Sequence, residues 1–80
     1  MTITIQTASP ATMHYRTRST HRSLDAAVTA ALAAQVEGSV IARVVLDPAT
    51  AETLRASGAI YQTEGGEWMD AGQRMTLVVE

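Results

Sequence analysis

The chain of 80 residues contains no cysteine and no lysine, only two histidines and no long apolar run. Without cysteine, disulfide bonds and thiolate metal sites are excluded, and two histidines are too few to suggest a metal centre. No apolar run approaches the length of a membrane-spanning helix, and the N-terminus lacks the basic start and apolar centre of a secretory signal. We therefore expect one cytoplasmic domain, residues 1–80, with no cofactor and no membrane contact.

Charge is distributed unevenly along the chain, although the net charge is only −2. Residues 1–43 contain four arginines and two acids, a balance of +2, whereas residues 44–80 contain two arginines and six acids, a balance of −4. Apart from the two histidines, every basic residue is an arginine, whose planar guanidinium suits phosphate and carboxylate groups, so the N-terminal half is the candidate for binding anions. The alternative is that high-GC coding produced the arginines along with the many alanines. The net negative charge argues against strong binding of DNA by the chain alone.

One segment, residues 23–37, has the length and spacing of an amphipathic helix. Ser23 is a favourable N-cap, and Gly38 stands where a residue in the left-handed conformation commonly ends a helix. Large apolar residues recur every four positions, at Leu24, Val28, Leu32 and Val36, with Ala27 and Ala31 beside them. We expect this stripe to cover one face of a sheet and the opposite, alanine-rich face to contact solvent.

The segments on either side of this helix alternate between apolar and polar residues, as strands do. Strands are predicted over residues 1–7, 12–18, 40–46, 59–64, 67–70 and 74–80. The first two are expected to pair as an antiparallel hairpin, the third to be central, and Gly65-Gly66 to form a two-residue hairpin turn. Asp47-Pro48 resembles a helix start, with a structured loop over residues 48–57 as the alternative. The predicted fold is α+β: an antiparallel sheet of five or six strands with one main helix packed on one face.

A group of basic side chains is the first candidate binding site. It comprises His14, Arg16, Arg18, His21, Arg22 and, from the central strand, Arg43. Period-two spacing is expected to place the first three on the wet face of the second strand, together with Thr4 and Gln6 of the first. Such a group suits phosphates or an acidic protein surface. The alternative is an ordinary solvated sheet face.

Two further features lie in the C-terminal half. Glu64, Glu67 and Asp70 could hold a divalent cation, but an evolved calcium loop offers more oxygen ligands in a fixed order, so a solvated turn is the favoured interpretation. Trp68, the only tryptophan, either caps the core or, if exposed, anchors a partner. The sequence contains no cysteine nucleophile and no phosphate loop, so we do not expect an enzyme.

The strand VIARVVLD, residues 40–47, and the hairpin AIYQTEGGEWMDAG, residues 59–72, resemble segments of small phage-encoded type I anti-CRISPR proteins. The shared pattern is a β-branched strand with a central arginine, here Arg43, followed by a hairpin of the form Tyr-x-x-x-Gly-Gly-x-Trp-x-Asp. With the order of elements, the resemblance covers residues 23–72. It implies a fold of one helix on an antiparallel sheet.

The resemblance also implies an inhibitor in the cytoplasm of the host bacterial cell. Such a protein binds protein subunits of a guide-RNA-loaded surveillance complex and blocks or misdirects its binding of target DNA. The helix of this chain carries no Lys or Arg, unlike relatives that use a basic helix. The expected partner contacts are therefore His14, Arg16, Arg18, Arg22, Arg43 and Trp68. The alternative is a small nucleic-acid-binding or regulatory module that uses the same arginines on a DNA or RNA backbone. We expect a monomer in either case.

Overall fold

Six strands and two helices make up the computed structural model, which describes residues 1–38 and 40–80. The strands are β1 (Ile3–Ala8), β2 (Arg16–His21), β3 (Ile41–Leu46), β4 (Ile60–Gln62), β5 (Trp68–Asp70) and β6 (Thr76–Val79). The helices are α1 (Leu24–Gly38) and α2 (Pro48–Ala56). The strands form a single sheet in the order β2-β1-β3-β6-β5-β4. Neither helix in this described part of the chain is long and apolar enough to cross a membrane.

The sheet is mixed, which corrects the expectation of a purely antiparallel one. β3 pairs with β1 antiparallel and with β6 in parallel, where Val44 lies opposite Leu77. The parallel pair arises because the chain leaves β3 through α2, β4 and β5 before it returns beside β3. Parallel neighbours need such a crossover, whereas strands joined by a tight turn pair antiparallel. β3 is central, as its apolar residues on both faces predict.

Helix α1 starts as predicted, and most of the predicted stripe faces the core, against which Leu24 and Leu32 pack partly buried. The Ser23 hydroxyl accepts a hydrogen bond from the Ala26 N–H at 3.1 Å, which confirms the N-cap. The buried residues are Ala27, Val28, Ala31 and Ala34. Val36 is 84% exposed, so the prediction that it joins the buried stripe is wrong. Each residue turns the helix by about 100°, so a step of four residues overshoots one turn by about 40°, and three such steps leave the buried face.

Helix α2 confirms the helical interpretation of Asp47-Pro48 and adds a second helix to the one expected. The Thr50 N–H donates to Asp47 Oδ1 at 2.8 Å, and Pro48 opens the helix, where its missing N–H costs nothing. This hydrogen bond holds the pKa of Asp47 below its ordinary value of 3.8. Leu54 anchors the short helix in the core.

Both helices pack on one face of the sheet, and the other face has no helix over it. The core beneath the helices contains Ile3, Ile5, Val28, Val44, Leu46, Leu54, Ile60 and Leu77. Strand register places Thr4, Gln6, Arg43, Val45 and Val78 on the opposite face. We call these the covered face and the open face.

The β4–β5 turn has three residues, not the two predicted. The Gly66 N–H donates to the Thr63 carbonyl at 2.9 Å, and the Thr63 N–H donates to the Glu67 carbonyl at 2.8 Å. Residues 64–66 therefore form the loop. Gly66 has φ of 87°, the left-handed conformation that glycine adopts without steric cost and that closes a three-residue hairpin.

Candidate binding site on the β1–β2 hairpin

The turn between β1 and β2 begins the candidate site and changes the predicted second strand. The Ser9 carbonyl accepts hydrogen bonds from the N–H groups of Thr12 at 3.2 Å and Met13 at 2.9 Å. Met13 adopts φ of 57°, a left-handed conformation that costs a residue with a side chain about 1–2 kcal/mol. Because the turn occupies these residues, β2 begins at Arg16 and the strand predicted over residues 12–18 is displaced.

A bulge at Arg18 interrupts the alternation of β2. Ile5 lies opposite Ser19 and Gln6 lies opposite Thr17, so Arg18 is the additional residue without a partner on β1. Bulges bend a strand and re-aim its side chains. The period-two argument that placed Arg16 and Arg18 side by side therefore does not hold.

The hairpin register divides the basic group between the two faces of the sheet. Arg16 lies opposite Thr7, whose side chain is on the covered face. Gln6 and Arg43 lie opposite each other on the open face. The expectation that Arg16 shares a face with Thr4 and Gln6 is wrong. Arg16 pairs with Thr7, one residue beyond Gln6 on β1, and a shift of one residue places a side chain on the opposite face.

Arg43 is held within the open face by three contacts. Its Nε donates to Gln6 Oε1 at 2.8 Å, and its Nη2 lies 3.6 Å from a Glu80 carboxylate oxygen. Its guanidinium carbon lies 4.0 Å from the centre of the Tyr15 ring, a cation–π distance. Arg43 thus links β1, β3 and the approach to β2.

Ion pairs divide the six arginines into two groups of three. The paired arginines and their partners are Arg43 with Glu80, Arg55 with Glu52, and Arg74 with Asp25 and Asp70. Arg16, Arg18 and Arg22 are exposed and make no ion pair with any residue that the structure describes. They lie on β2, one of the two edge strands of the sheet, or directly after it. We call these three residues the cationic edge.

The cationic edge lies in a segment without carboxylates. Residues 1–24 contain three arginines and no acid, a formal charge of +3, whereas residues 25–80 contain three arginines and eight acids, a formal charge of −5. The two values add to the net charge of −2. Fields from exposed charges fade beyond about 8 Å at physiological salt. An anionic partner must therefore contact this hairpin directly.

A pocket of about 420 Å³ opens at the turn end of the hairpin. Its lining residues are Thr7, Ala8, Ser9, Thr12, His14, Arg16 and Val40. The pocket thus brings together two predicted site residues, His14 and Arg16, and its lining does not include Arg18, Arg22 or Arg43. The hydroxyl residues were not predicted as site residues, because Ser and Thr are ordinary turn formers.

Trp68 lies opposite Leu77 on the covered face and packs against the core, half-buried. This is the arrangement that the core-capping interpretation requires. Its role as a partner anchor stays a prediction.

The three acids of the β4–β5 hairpin, Glu64, Glu67 and Asp70, differ in burial, and Asp70 is only 2% exposed. Asp70 Oδ1 accepts hydrogen bonds from the N–H groups of Arg74 at 2.8 Å and Met75 at 2.9 Å, and Oδ2 accepts from Arg74 Nε at 3.2 Å. Burial raises the pKa of Asp70, but these hydrogen bonds outweigh it and the pKa is lowered. Glu64 and Glu67 remain exposed. Across residues 1–38 and 40–80, no three His, Asp or Glu side chains come together as a metal site would require.

The candidate site is thus an exposed cationic edge beside a small pocket of mixed polar and apolar lining, both centred on the β1–β2 hairpin. The chain matches no protein-family model, no curated protein and no solved structure. The resemblance to anti-CRISPR proteins therefore stays a prediction.

Proposed function

We propose that this chain is a binding protein that docks its cationic edge against an acidic surface of a protein partner. The observation that carries the proposal is the division of the arginines. Three are paired within the fold, and the other three, Arg16, Arg18 and Arg22, lie on or directly after β2 without a carboxylate partner among the described residues. Free guanidinium groups form charge-assisted, often bidentate hydrogen bonds with carboxylates. The edge is therefore suited to a partner that supplies them.

The position of β2 supports this proposal. β2 is hydrogen-bonded to β1 on one side only, so its other side is open to a partner. Charged residues and bulges on an edge strand oppose undirected pairing with other strands. Both occur here, since Arg18 is charged and is also the bulge residue. A partner with complementary negative charge is therefore favoured over undirected association.

For the identity of the partner we propose a protein subunit of a type I CRISPR surveillance complex, whose target-DNA binding this chain blocks or misdirects. The support is the resemblance of residues 40–47 and 59–72 to small anti-CRISPR proteins. Because α1 carries no Lys or Arg, the cationic edge is the concentrated positive site that remains for such a contact.

The test is binding and inhibition of purified type I surveillance complexes by the variant Arg16→Ala with Arg18→Ala. We expect inhibition to weaken at least tenfold, which corresponds to about 1.4 kcal/mol. The melting curve should stay native, because exposed substitutions usually change stability by no more than about 0.5 kcal/mol. Arg55→Ala, on the exposed face of α2, is the control for loss of positive charge elsewhere. Undiminished inhibition by the double variant, or no binding of the native chain to any such complex, would contradict the proposal.

The alternative function is a nucleic-acid-binding module, favoured by the absence of acids from residues 1–24. Its signature is binding to bare DNA or RNA without a protein partner. Three phosphate contacts would give a slope of about −3 in log K against log salt, because counterions are released. Binding that needs the protein complex and is absent with bare nucleic acid supports the first function, and binding to bare duplex with this slope supports the second.

A further inference from the structure

We propose that the pocket at the turn end of the β1–β2 hairpin binds a small molecule through its oxyanion group, a phosphate or a carboxylate. The pocket measures about 420 Å³, which lies toward the small end of the range for ligand sites, about 300–1,000 Å³. It is large enough for a small metabolite and too small for a folded partner. The inference does not depend on the proposed function, because the ligand is tested on the chain alone.

The charge of the pocket selects an anion. Arg16 lies in the lining, has no ion-pair partner among the described residues, and presents a planar set of N–H donors. His14 supplies at least one further ring N–H in any protonation state. None of the seven lining residues is acidic. Arg16 would repel a cation, whereas an oxyanion would accept charge-assisted hydrogen bonds from its guanidinium.

Hydroxyl groups complete the set of donors. The Ser9 hydroxyl oxygen accepts from the Ala11 N–H at 3.3 Å, and that of Thr12 accepts from the His14 N–H at 3.5 Å. Since a hydroxyl has one hydrogen to donate besides its acceptor sites, both O–H groups remain available to a ligand. Thr7 adds a third hydroxyl from β1. Several donors around one space fit an oxyanion, which offers several acceptor oxygens.

The turn fixes these groups relative to one another. Met13 holds its left-handed conformation between Thr12 and His14, and the Ser9 carbonyl is bonded to both Thr12 and Met13. Arg16 enters from the first position of β2, which the ladder to Thr7 holds in place. The backbone of the site is therefore formed before the ligand arrives, which reduces the entropy lost on binding.

The experiment is a titration of the full chain with inorganic phosphate in one arm and succinate in the other, at constant ionic strength set with chloride. Amide chemical shifts in ¹H–¹⁵N NMR spectra report on each residue. We expect saturable shifts at residues 7–16 with a dissociation constant of about 1 mM or below. Saturation by phosphate identifies phosphorylated ligands, and saturation by succinate identifies carboxylates. No saturable shift in either arm overturns the proposal.

Two matched pairs of variants locate the ligand. Arg16→Gln should weaken binding at least tenfold, whereas Arg18→Gln, the same change two residues along β2 but outside the pocket, should change it less than twofold. Thr7→Val removes one hydroxyl without altering the shape of the side chain and should weaken binding about fivefold, the effect of one lost hydrogen bond. Thr4→Val on the open face should have no effect. Equal losses in the two arginine variants would show only diffuse attraction and overturn the proposal.

The proposal of ligand binding in the pocket and the proposal of partner binding at the cationic edge can be contradicted independently. Failure of phosphate and succinate to bind leaves any partner binding through Arg18 and Arg22 unaffected. If the variant Arg18→Ala with Arg22→Ala binds the partner as well as the native chain does, the conclusion drawn from the NMR titration still stands.

Discussion

Asp70 organises the turn that joins β5 to β6. One buried carboxylate accepts two backbone N–H groups and the Arg74 side chain. Arg74 Nη1 also lies 3.0 Å from Asp25 Oδ1 in the first turn of α1. Arg74 therefore links Asp70, at the end of β5, to the first turn of α1. In the sequence, Asp70 stands among acids near a glycine turn, a pattern that indicates a solvated turn or a metal site. Sequence alone does not show that Asp70 is the buried acid of this group.

Removal of the Asp70 carboxylate should therefore be costly. We expect Asp70→Ala to lower the free energy of unfolding by about 2–3 kcal/mol, because buried backbone donors lose a charged acceptor. Urea denaturation measures the change. Glu64→Ala, an exposed acid in the neighbouring hairpin, is the control and should fall within about 0.5 kcal/mol of the native chain. Equal stability of the two variants would show that the Asp70 contacts contribute nothing.

The lowered pKa values of Asp70 and Asp47 predict the response of stability to acid. Both lie below the ordinary value of 3.8 in the folded chain. The unfolded chain therefore takes up protons at higher pH than the folded chain, and the stabilisation is present above about pH 4 and lost as the pH falls through the folded pKa values. Denaturation from pH 6 to about pH 2 should show this decline. Asp70→Asn should flatten it, and an equally steep decline in that variant would assign the effect to other acids.

Arg43 should behave as a structural residue. Arg43→Ala removes the hydrogen bond to Gln6, the ion pair with Glu80 and the contact with Tyr15, and we expect a loss of about 1–2 kcal/mol. Thermal or urea unfolding measures it. Arg16→Ala is the matched control and should leave stability within about 0.5 kcal/mol. If Arg43→Ala instead weakens partner binding at unchanged stability, Arg43 belongs to the binding surface.

Among the elements, α1 allows the substitution of valine by alanine to be compared at a buried and at an exposed position. Val28 is fully buried and Val36 is 84% exposed. We expect Val28→Ala to cost about 2 kcal/mol through lost burial and the cavity left behind. Val36→Ala should be neutral or slightly stabilising, because alanine has the higher helix propensity. Similar losses for both variants, measured by urea unfolding, would mean that α1 packs on a different face.

The elements that sequence predicts best are those with local signals. The starts of both helices were found because Ser23 and Asp47 act on N–H groups within three residues. β2 was displaced because the left-handed Met13 and the bulge at Arg18 have no local signature. Gln35 of α1 accepts a hydrogen bond from the Ala42 N–H of β3 at 3.4 Å. That contact depends on how α1 meets β3, which no short segment specifies.

For the whole molecule, the order of strands was the part that sequence could not give. The parallel pairing of β3 with β6 joins residues about thirty positions apart, and alternation alone identifies strands without their partners. The same limit applies to the site. The excess of positive charge was evident from the sequence, but which arginines remain unpaired, and that His14 and Arg16 share a pocket with Thr7, follow only from the fold.

The distribution of exposed apolar side chains bears on oligomeric state. In the described part of the chain, the exposed large apolar residues are Met1, Met13, Val36 and Tyr61. They belong to four separate segments, and singly scattered apolar residues do not mark an interface. We expect a monomer at micromolar concentration. Light scattering gives the mass directly, and a value of twice the chain mass of 8.5 kDa would contradict this expectation.

The central position of β6 also constrains how the chain folds as it is synthesised. β6 follows the other five strands in the sequence, yet β4 and β5 join the rest of the sheet only through it. Until residue 79 emerges, the edge of β3 that pairs with β6 lacks its partner. Pairings between distant segments form slowly, and unpaired apolar strands are prone to aggregate. Interruption of synthesis before β6 would therefore leave an incomplete protein with its central strand exposed.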